Sequence, residues 1–456
     1  MRVLFVTTAI KSHFMLMVPT AWALRAAGHD VRIASQPNLM GVVSESGLTG
    51  IPVGAELAIS GRHLVGGHRA GSRLPYDIGE DHPEKLTPRH VRTTLAMYPR
   101  GISELVADRR MLDDLVAVAR EWRPDLVIWD AMTYTGPIAA RACGAAHVRS
   151  LFGPDHLARM RRLFLELHPD PGPHGDPLRA WLGDRLRHLA DPAAAVPGVE
   201  SDSAPGSGNE VGFEEELVLG RATIDPMHPA LRVTGDTTYL PTRFIPYGGR
   251  MTVPHSLPVP SRRPLICVTL GTSARDLGLP TPPLDRLLRA AADTGAGVIA
   301  TAPPGVIADL GPLPEHVRVV EHIPLDAVLP HCAAVVHHFG AGTLHTALVH
   351  GVPQLRVSDG VNLWGEPEMA RRLVARGAAL DAAEELTPGA LTDDLTRLLE
   401  DPSFATNAAV LREEALAQPT PHDLVPALED LARTRDRVPG AVPIPPPRTA
   451  RTTPPR

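Results

Sequence analysis

A chain of 456 residues predicts roughly three average domains or two larger ones, each able to bury a sizeable core. Its formal net charge of −6 gives no electrostatic reason to expect nucleic acid or an anionic membrane as a partner. The 3 cysteines (Cys143, Cys267 and Cys332) lie far apart in apolar runs, which excludes a disulfide framework or a zinc-ligand spacing and makes the reducing cytoplasm the expected location.

The apolar N-terminus MRVLFVTTAI is interrupted by Lys11, Ser12 and His13. It is too short to span a membrane and lacks a small-residue cleavage site. Val3 to Thr7 reads as a buried strand, followed by a loop through His13 and a helix over Phe14–Ala27. Pro19 fits only near the start of that helix, and Gly28 is its natural stop. Val31 to Ser35 is the second strand, and this βαβ opening predicts a parallel, doubly wound sheet. A dinucleotide-binding reading does poorly: the turn Thr8–Ser12 has no glycine, and no acid ends the second strand. His13 instead lies just past a strand's carboxyl end, where open α/β sheets bind ligands. It suits a general base, or equally a residue that packs at the helix start.

Amphipathic segments over Val91–Ala119 read as acceptor-side walls or a partner surface rather than sheet. The run Arg123-Pro-Asp-Leu-Val-Ile-Trp-Asp130 is a strand ending in an acid. Asp130 either orients His13, as the third member of a triad does, or caps the helix near Pro137–Cys143. Spacing alone does not join the two residues. Pro192–Gly212 has no hydrophobic period and is expected to be a mobile loop.

Beyond the proline-rich Pro254–Pro264 the strand–helix alternation starts afresh, with strands at Leu265–Leu270, Gly297–Thr301, Val317–Val320, Ala333–His337 and Val352–Val357. The expected organisation is a domain over 1–245, a second over 255–415, a helix within 416–435 that crosses back to the first domain, and a disordered tail over 438–456. The stretch VVHHFGAGTLHTAL (Val335–Leu348) reads as strand, glycine turn and helix. Close backbone approach and the positive helix end make it a seat for a phosphate or diphosphate, with an ordinary strand-to-helix turn as the bland alternative. Thr272 and Ser273 would face it across the cleft. The chain contains no Asp-x-Asp triplet, no H-E-x-x-H and no Walker loop, so a diphosphate here needs neutralising by a helix end, hydroxyls and a histidine.

With these residues placed, the chain resembles the antibiotic-tailoring glycosyltransferases that attach deoxysugars to macrolide and aromatic polyketides, especially the macrolide desosamine-transferase branch. The resemblance runs over roughly residues 1–435 through KSHF with VPTAWALRAAGHDV, RPDLVIWD, FEEELVLGRATIDP, VTLGTSARD, HIPLDAVLP and HHFGAGTLHTALVHGVPQ. It implies an α/β GT-B fold: two doubly wound Rossmann-like domains facing across a cleft, with acceptor in the N-terminal half and nucleotide sugar in the C-terminal half. It implies His13 as the base and Asp130 as its partner. Thr272, Ser273, His338, Gly340, Ala341, Gly342 and Thr343 fall at the donor diphosphate, and His322 and Ile323 at the nucleotide base. Phe339, Asp359, Asn362 and Leu363 fall at the donor sugar. The implied reaction is inverting transfer from a TDP-deoxysugar to a hydroxyl of a hydrophobic polyketide aglycone, with no metal and no cofactor. A cytochrome-P450-like auxiliary activator protein is an implied partner, and a homodimer is left open.

Two departures stand out. Phe339 replaces the second glycine of the usual HHGGAG turn, setting a bulky ring beside the phosphate seat that either restricts the sugar or packs outward. Asn362 and Leu363 stand where many relatives carry an aspartate–glutamine pair that holds sugar hydroxyls. Fewer polar groups suit a dideoxy or aminodeoxy sugar. The same departures fit a non-catalytic paralogue that binds nucleotide or scaffolds an active partner, and a GT-B-type epimerase is a third reading.

Overall fold

The computed structural model describes residues 1–59, 77–190, 213–253, 263–271, 273–358, 364–383 and 386–434. The expectations for Pro192–Gly212, for the 438–456 tail, and for Thr272, Asp359, Asn362 and Leu363 lie outside the described residues, as does most of Pro254–Pro264.

The N-terminal half builds a seven-stranded sheet in the order β3-β2-β1-β4-β5-β6-β7. Its strands are β1 (Arg2–Val6), β2 (Asp30–Ser35), β3 (Thr49–Pro52), β4 (Leu126–Asp130), β5 (Ala146–Ser150), β6 (Thr223–Asp225) and β7 (Tyr239–Pro241). All the pairings are parallel. Such a sheet must be covered on both faces, which is why β1 and β4 are continuous apolar runs rather than alternating ones. Val3 and Phe5 enter one core while Leu4 and Val6 enter the other. Helices α1 (Lys11–Ala26), α2 (Pro88–Tyr98), α3 (Arg109–Trp122), α4 (Thr135–Cys143) and α5 (His156–Leu167) pack over the two faces.

Helix α1 begins at Lys11, three residues before its expected start, so His13 sits in the first helical turn rather than on a loop. Pro19 is therefore inside the helix, not near its start. An interior proline costs about 3 kcal/mol. Phe14, Met17, Val18, Ala21 and Leu24 are all buried at helical spacing on the sheet, and at roughly 1.5–3 kcal/mol for each large side chain that burial outweighs the proline.

The C-terminal half repeats the plan with six parallel strands in the order β10-β9-β8-β11-β12-β13. They are β8 (Leu265–Thr269), β9 (Gly297–Thr301), β10 (Val317–Val320), β11 (Ala334–His337), β12 (Gln354–Arg356) and β13 (Ala379–Asp381). Helices α6 (Ala341–His350), α7 (Glu366–Ala375) and α8 (Pro402–Leu416) belong to this half. In both sheets the strand order reverses beside the first strand, between β1 and β4 and between β8 and β11. The crevice outside such a switch point is where open α/β sheets take ligands.

The last described helix, α9 (Val425–Arg433), lies on the N-terminal sheet. Leu424, Val425, Leu428 and Leu431 are buried in the same core as Val3, Phe5, Ile128 and helix α1. Arg221 Nη1 closes the contact through the carbonyls of Leu431 (3.2 Å) and Thr434 (2.6 Å). Leu428→Ala is expected to lower unfolding stability by about 3 kcal/mol, readable as a lower denaturation midpoint, because a fully buried leucine at the heart of that contact leaves a cavity. Residues after β6 bind the halves together from the other side: His228 N–H donates to His345 Nε2 (3.0 Å), and Leu231 enters a core with Leu344 and Leu348. Among the described residues no helix is long and apolar enough to cross a membrane.

Candidate active site

Register places the first pair. Val6 of β1 lies opposite Trp129 of β4, so the residues following the two strands emerge side by side. His13 Nδ1 stands 2.7 Å from Asp130 Oδ2 although 117 residues separate them. The other carboxylate oxygen accepts the Met132 N–H at 2.9 Å and lies 3.5 Å from the Thr133 hydroxyl. Asp130 does not cap α4, which has no side-chain cap. An ionised Asp130 draws the imidazole proton to Nδ1 and leaves the Nε2 lone pair for the cleft. Phe152, just past β5, stacks on the His13 ring at 4.0 Å between centroids and 28° between planes, fixing the ring's orientation.

The glycine turn faces this pair. His337 is fully buried; its Nε2 contacts Gln354 Oε1 at 2.8 Å and its Nδ1 accepts the Phe339 N–H at 3.1 Å. Burial pushes its pKa down to about 3, so it is a neutral structural ring. Phe339 corrects the expectation of a ring beside the phosphate. It holds a left-handed φ of 68°, stacks on His337 at 4.7 Å and is fully buried with Leu231, Leu344, Leu348 and Met369, pointing away from the cleft. Left-handed backbone costs roughly 1–2 kcal/mol in a non-glycine residue, and burying the ring outweighs it. Phe339 is therefore a core residue and not part of a donor-sugar site.

Gly340 is the N-cap of α6 and supplies no side-chain cap, so the first-turn N–H groups of Ala341, Gly342 and Thr343 meet the cleft at the positive end of the helix. The His338 ring is wedged between Gly271 and Gly340; a Cβ on either would come within 2.7 or 2.8 Å of it. Burial, with Arg356 adding to it, pushes the His338 pKa down to about 4. A neutral imidazole there carries one N–H, for which the Leu270 backbone and an anion in the cleft compete. Ser273 Oγ lies 3.0 Å from Ser12 Oγ, and Lys11 Nζ 3.7 Å from Asp276, so the two domains touch at the mouth of α1. His322 is exposed and Ile323 buried, both on the cleft wall beyond the α6 terminus.

These groups share one cleft of about 600 Å³. Its N-terminal wall is apolar, with Ile10, Met15, Ile102, Met132, Phe244 and Tyr247. Sequence reasoning missed Phe152, Trp364 and Glu366. Trp364 reaches across from the C-terminal half: its ring packs on Phe152 at 4.7 Å and its Nε1 donates to the Pro154 carbonyl at 3.1 Å. Glycines make the room. A Cβ at Gly153 would lie 2.4 Å from Trp364, and one at Gly365 (φ +82°) would lie 2.2 Å from His156. The signal for Phe152 was its place at the carboxyl end of a strand neighbouring β4; Trp364 had none. Among the described residues the one cluster of metal-ligand type, Glu80–Asp81–His82, is off the cleft and tied to Lys85 (3.2 Å) and Arg371 (2.5 Å).

Comparison with known proteins agrees along the whole chain. The family description "Erythromycin biosynthesis protein CIII-like" matches through its N-terminal domain over residues 22–271 and its C-terminal domain over 285–431. The chain is 40% identical to aclacinomycin-T 2-deoxy-L-fucose transferase of Streptomyces galilaeus, over 97% of this chain and 98% of that protein. It is 39% identical to 10-deoxymethynolide desosaminyltransferase of Streptomyces venezuelae, over 96% and 99%. The crystal structure of the glycosyltransferase VinC in complex with dTDP superposes with a TM-score of 0.81 at 40% identity, covering 95% of this chain and all (100%) of that one.

Proposed function

The chain belongs to the erythromycin biosynthesis protein CIII-like family of antibiotic deoxysugar glycosyltransferases, and from that premise we propose that it moves a deoxysugar from TDP to a hydroxyl of a polyketide aglycone, with inversion and without a metal ion. The observation that carries this reading is the His13–Asp130 pair facing the uncapped α6 terminus across one cleft, each at a topological switch point.

His13 Nε2 takes the proton of the acceptor hydroxyl, and Asp130 stabilises the imidazolium that forms. The oxygen attacks the anomeric carbon as its bond to the diphosphate breaks on the opposite face, which inverts the configuration. Charge growing on the leaving diphosphate meets the N–H groups of Ala341–Thr343, the Thr343 hydroxyl and the His338 N–H, which do the neutralising without a cation. The apolar wall around Met15 and Tyr247 suits a hydrophobic aglycone. The dTDP complex of the similar VinC structure supports thymidine diphosphate as the carrier. The paralogue alternative loses one of its motives, since Phe339 leaves the seat open.

Calorimetric titration with TDP and UDP in the presence of EDTA tests the reading. TDP is expected to bind in preference to UDP, and His338→Ala to weaken TDP about ten- to a hundredfold, the worth of one hydrogen bond to a charged group. Binding that appears only when a divalent cation is added overturns the metal-free seat.

A further inference from the structure

We infer that His345 and Thr346 are positioning residues that strengthen the diphosphate seat, each by hydrogen-bonding the carbonyl of a peptide whose N–H faces the cleft; this rests on the donor-site reading above. His345 Nδ1 lies 2.8 Å from the Ala341 carbonyl, and the Thr346 hydroxyl donates to the Gly342 carbonyl at 2.7 Å. Those carbonyls share their peptide planes with the N–H groups of Gly342 and Thr343, two of the three that meet the cleft at the mouth of α6. A carbonyl that accepts an added hydrogen bond polarises its peptide, and the N–H at the other end becomes a stronger donor. Both side chains are buried, at 1% and 6% exposure, so water competes little for either bond.

The bond from His345 requires its proton on Nδ1, and the other half of the chain arranges this. The His228 N–H, in the segment after β6, donates to His345 Nε2 at 3.0 Å, so that nitrogen holds a lone pair. Burial pushes the His345 pKa down to about 4 and keeps the ring neutral, and its one proton falls on Nδ1. His228 is itself pinned: its Nε2 meets the Leu411 carbonyl of α8 at 2.8 Å, and its Nδ1 accepts the Ala230 N–H at 3.1 Å. Phe244, on the N-terminal cleft wall, packs on the His345 ring at 5.3 Å. Thr392 and Thr406 also bond back to the carbonyl four residues earlier, but singly and on helices that do not line the cleft. On α6 two such bonds fall on consecutive peptides, and both peptides present their N–H to the cleft. The seat therefore reaches its full strength only when the two halves are docked through His228.

Calorimetric titration with TDP, together with the amide-proton resonances of isotope-labelled protein, tests this. Thr346→Val, which keeps the volume, and His345→Leu are each expected to weaken TDP about three- to tenfold, the scale of a roughly 10–30% change in a charge-assisted hydrogen bond. Thr346→Ser keeps the hydroxyl and His345→Asn keeps an N–H near the Nδ1 position, so both are expected to stay close to native. TDP should move the Gly342 and Thr343 amide protons downfield, with His345→Leu reducing the shift at Gly342 and Thr346→Val reducing it at Thr343. Native TDP affinity in either loss variant overturns the role of that residue, as does a loss shared by its conservative partner. Weakened binding that leaves the paired amide shift unchanged means direct contact or altered shape, and overturns the inference as well. If His345→Leu does not fold, the Thr346 variants and the Thr343 amide decide. Failure of the native protein to bind TDP overturns the donor-site reading, and the inference with it.

Discussion

His13→Ala is expected to lower the transfer rate constant by about a thousandfold, within the usual range for removing a general base, while TDP affinity changes little. The two effects separate because His13 stands on the N-terminal wall and the diphosphate seat on the C-terminal one. Ground-state binding of the nucleotide does not involve the base; only the transition state, with a proton in flight, does. Asp130→Asn is expected to fall by a smaller factor. The amide keeps the volume, but with its oxygen on the Met132 N–H it turns its NH2 to Nδ1, which neither stabilises the imidazolium nor holds the proton on Nδ1. Single-turnover rates with native enzyme and both variants check the order. A His13→Ala enzyme that transfers at the native rate removes the base from the mechanism.

Much of this was legible in the sequence for an identifiable reason. Strands β1, β4, β8 and β11 are buried on both faces, so they appear as uninterrupted apolar runs, and the residue after each run falls at a carboxyl end without further information. Joining His13 to Asp130 needed the β1–β4 pairing, which the sequence does not print: 117 residues and two other strands intervene. The direction of Phe339 stayed open in the sequence because it depends on the sign of φ and on a core shared with Leu231 from the other half of the chain. Helix α1 outran its expected start because Pro19 suggests a beginning locally, while the buried face from Phe14 to Leu24 is decided by the sheet beneath. Trp364 works only across the interface with Phe152 and Pro154, so nothing in its own neighbourhood marks it. The sequence reads elements well and juxtapositions between halves poorly.

Acidification should unfold this enzyme before most of its carboxylates are neutralised. Burial holds His147, His338 and His345 at a pKa of about 4, and His156 and His337 at about 3, against an ordinary value of 6.5. Below pH 6.5 the unfolded chain takes up a proton at each of these sites, while the folded chain does not until about pH 4 or 3. The unfolded state therefore binds more protons, and stability is complete above pH 6.5 and falls as the pH drops through the window beneath it. Each histidine contributes a slope of about 1.4 kcal/mol per pH unit. Asp225 works the other way, since burial raises it to about 6 despite Arg232 at 3.0 Å, so the folded state gains a proton there and offsets one histidine. The remaining slope of several kcal/mol per pH unit exhausts a typical stability of about 5–15 kcal/mol between roughly pH 6.5 and 4. Melting temperatures measured from about pH 7.5 to about 4.5 should be nearly level at first and then fall steeply; a profile flat throughout would mean that water reaches these rings. TDP should slow the fall, because a diphosphate beside His338 favours its protonated form and gives the folded state a proton it otherwise refuses. The pH-dependent part of that protection should grow as the pH drops and be lost in His338→Ala, which ties TDP's share of the acid response to one ring at the mouth of α6.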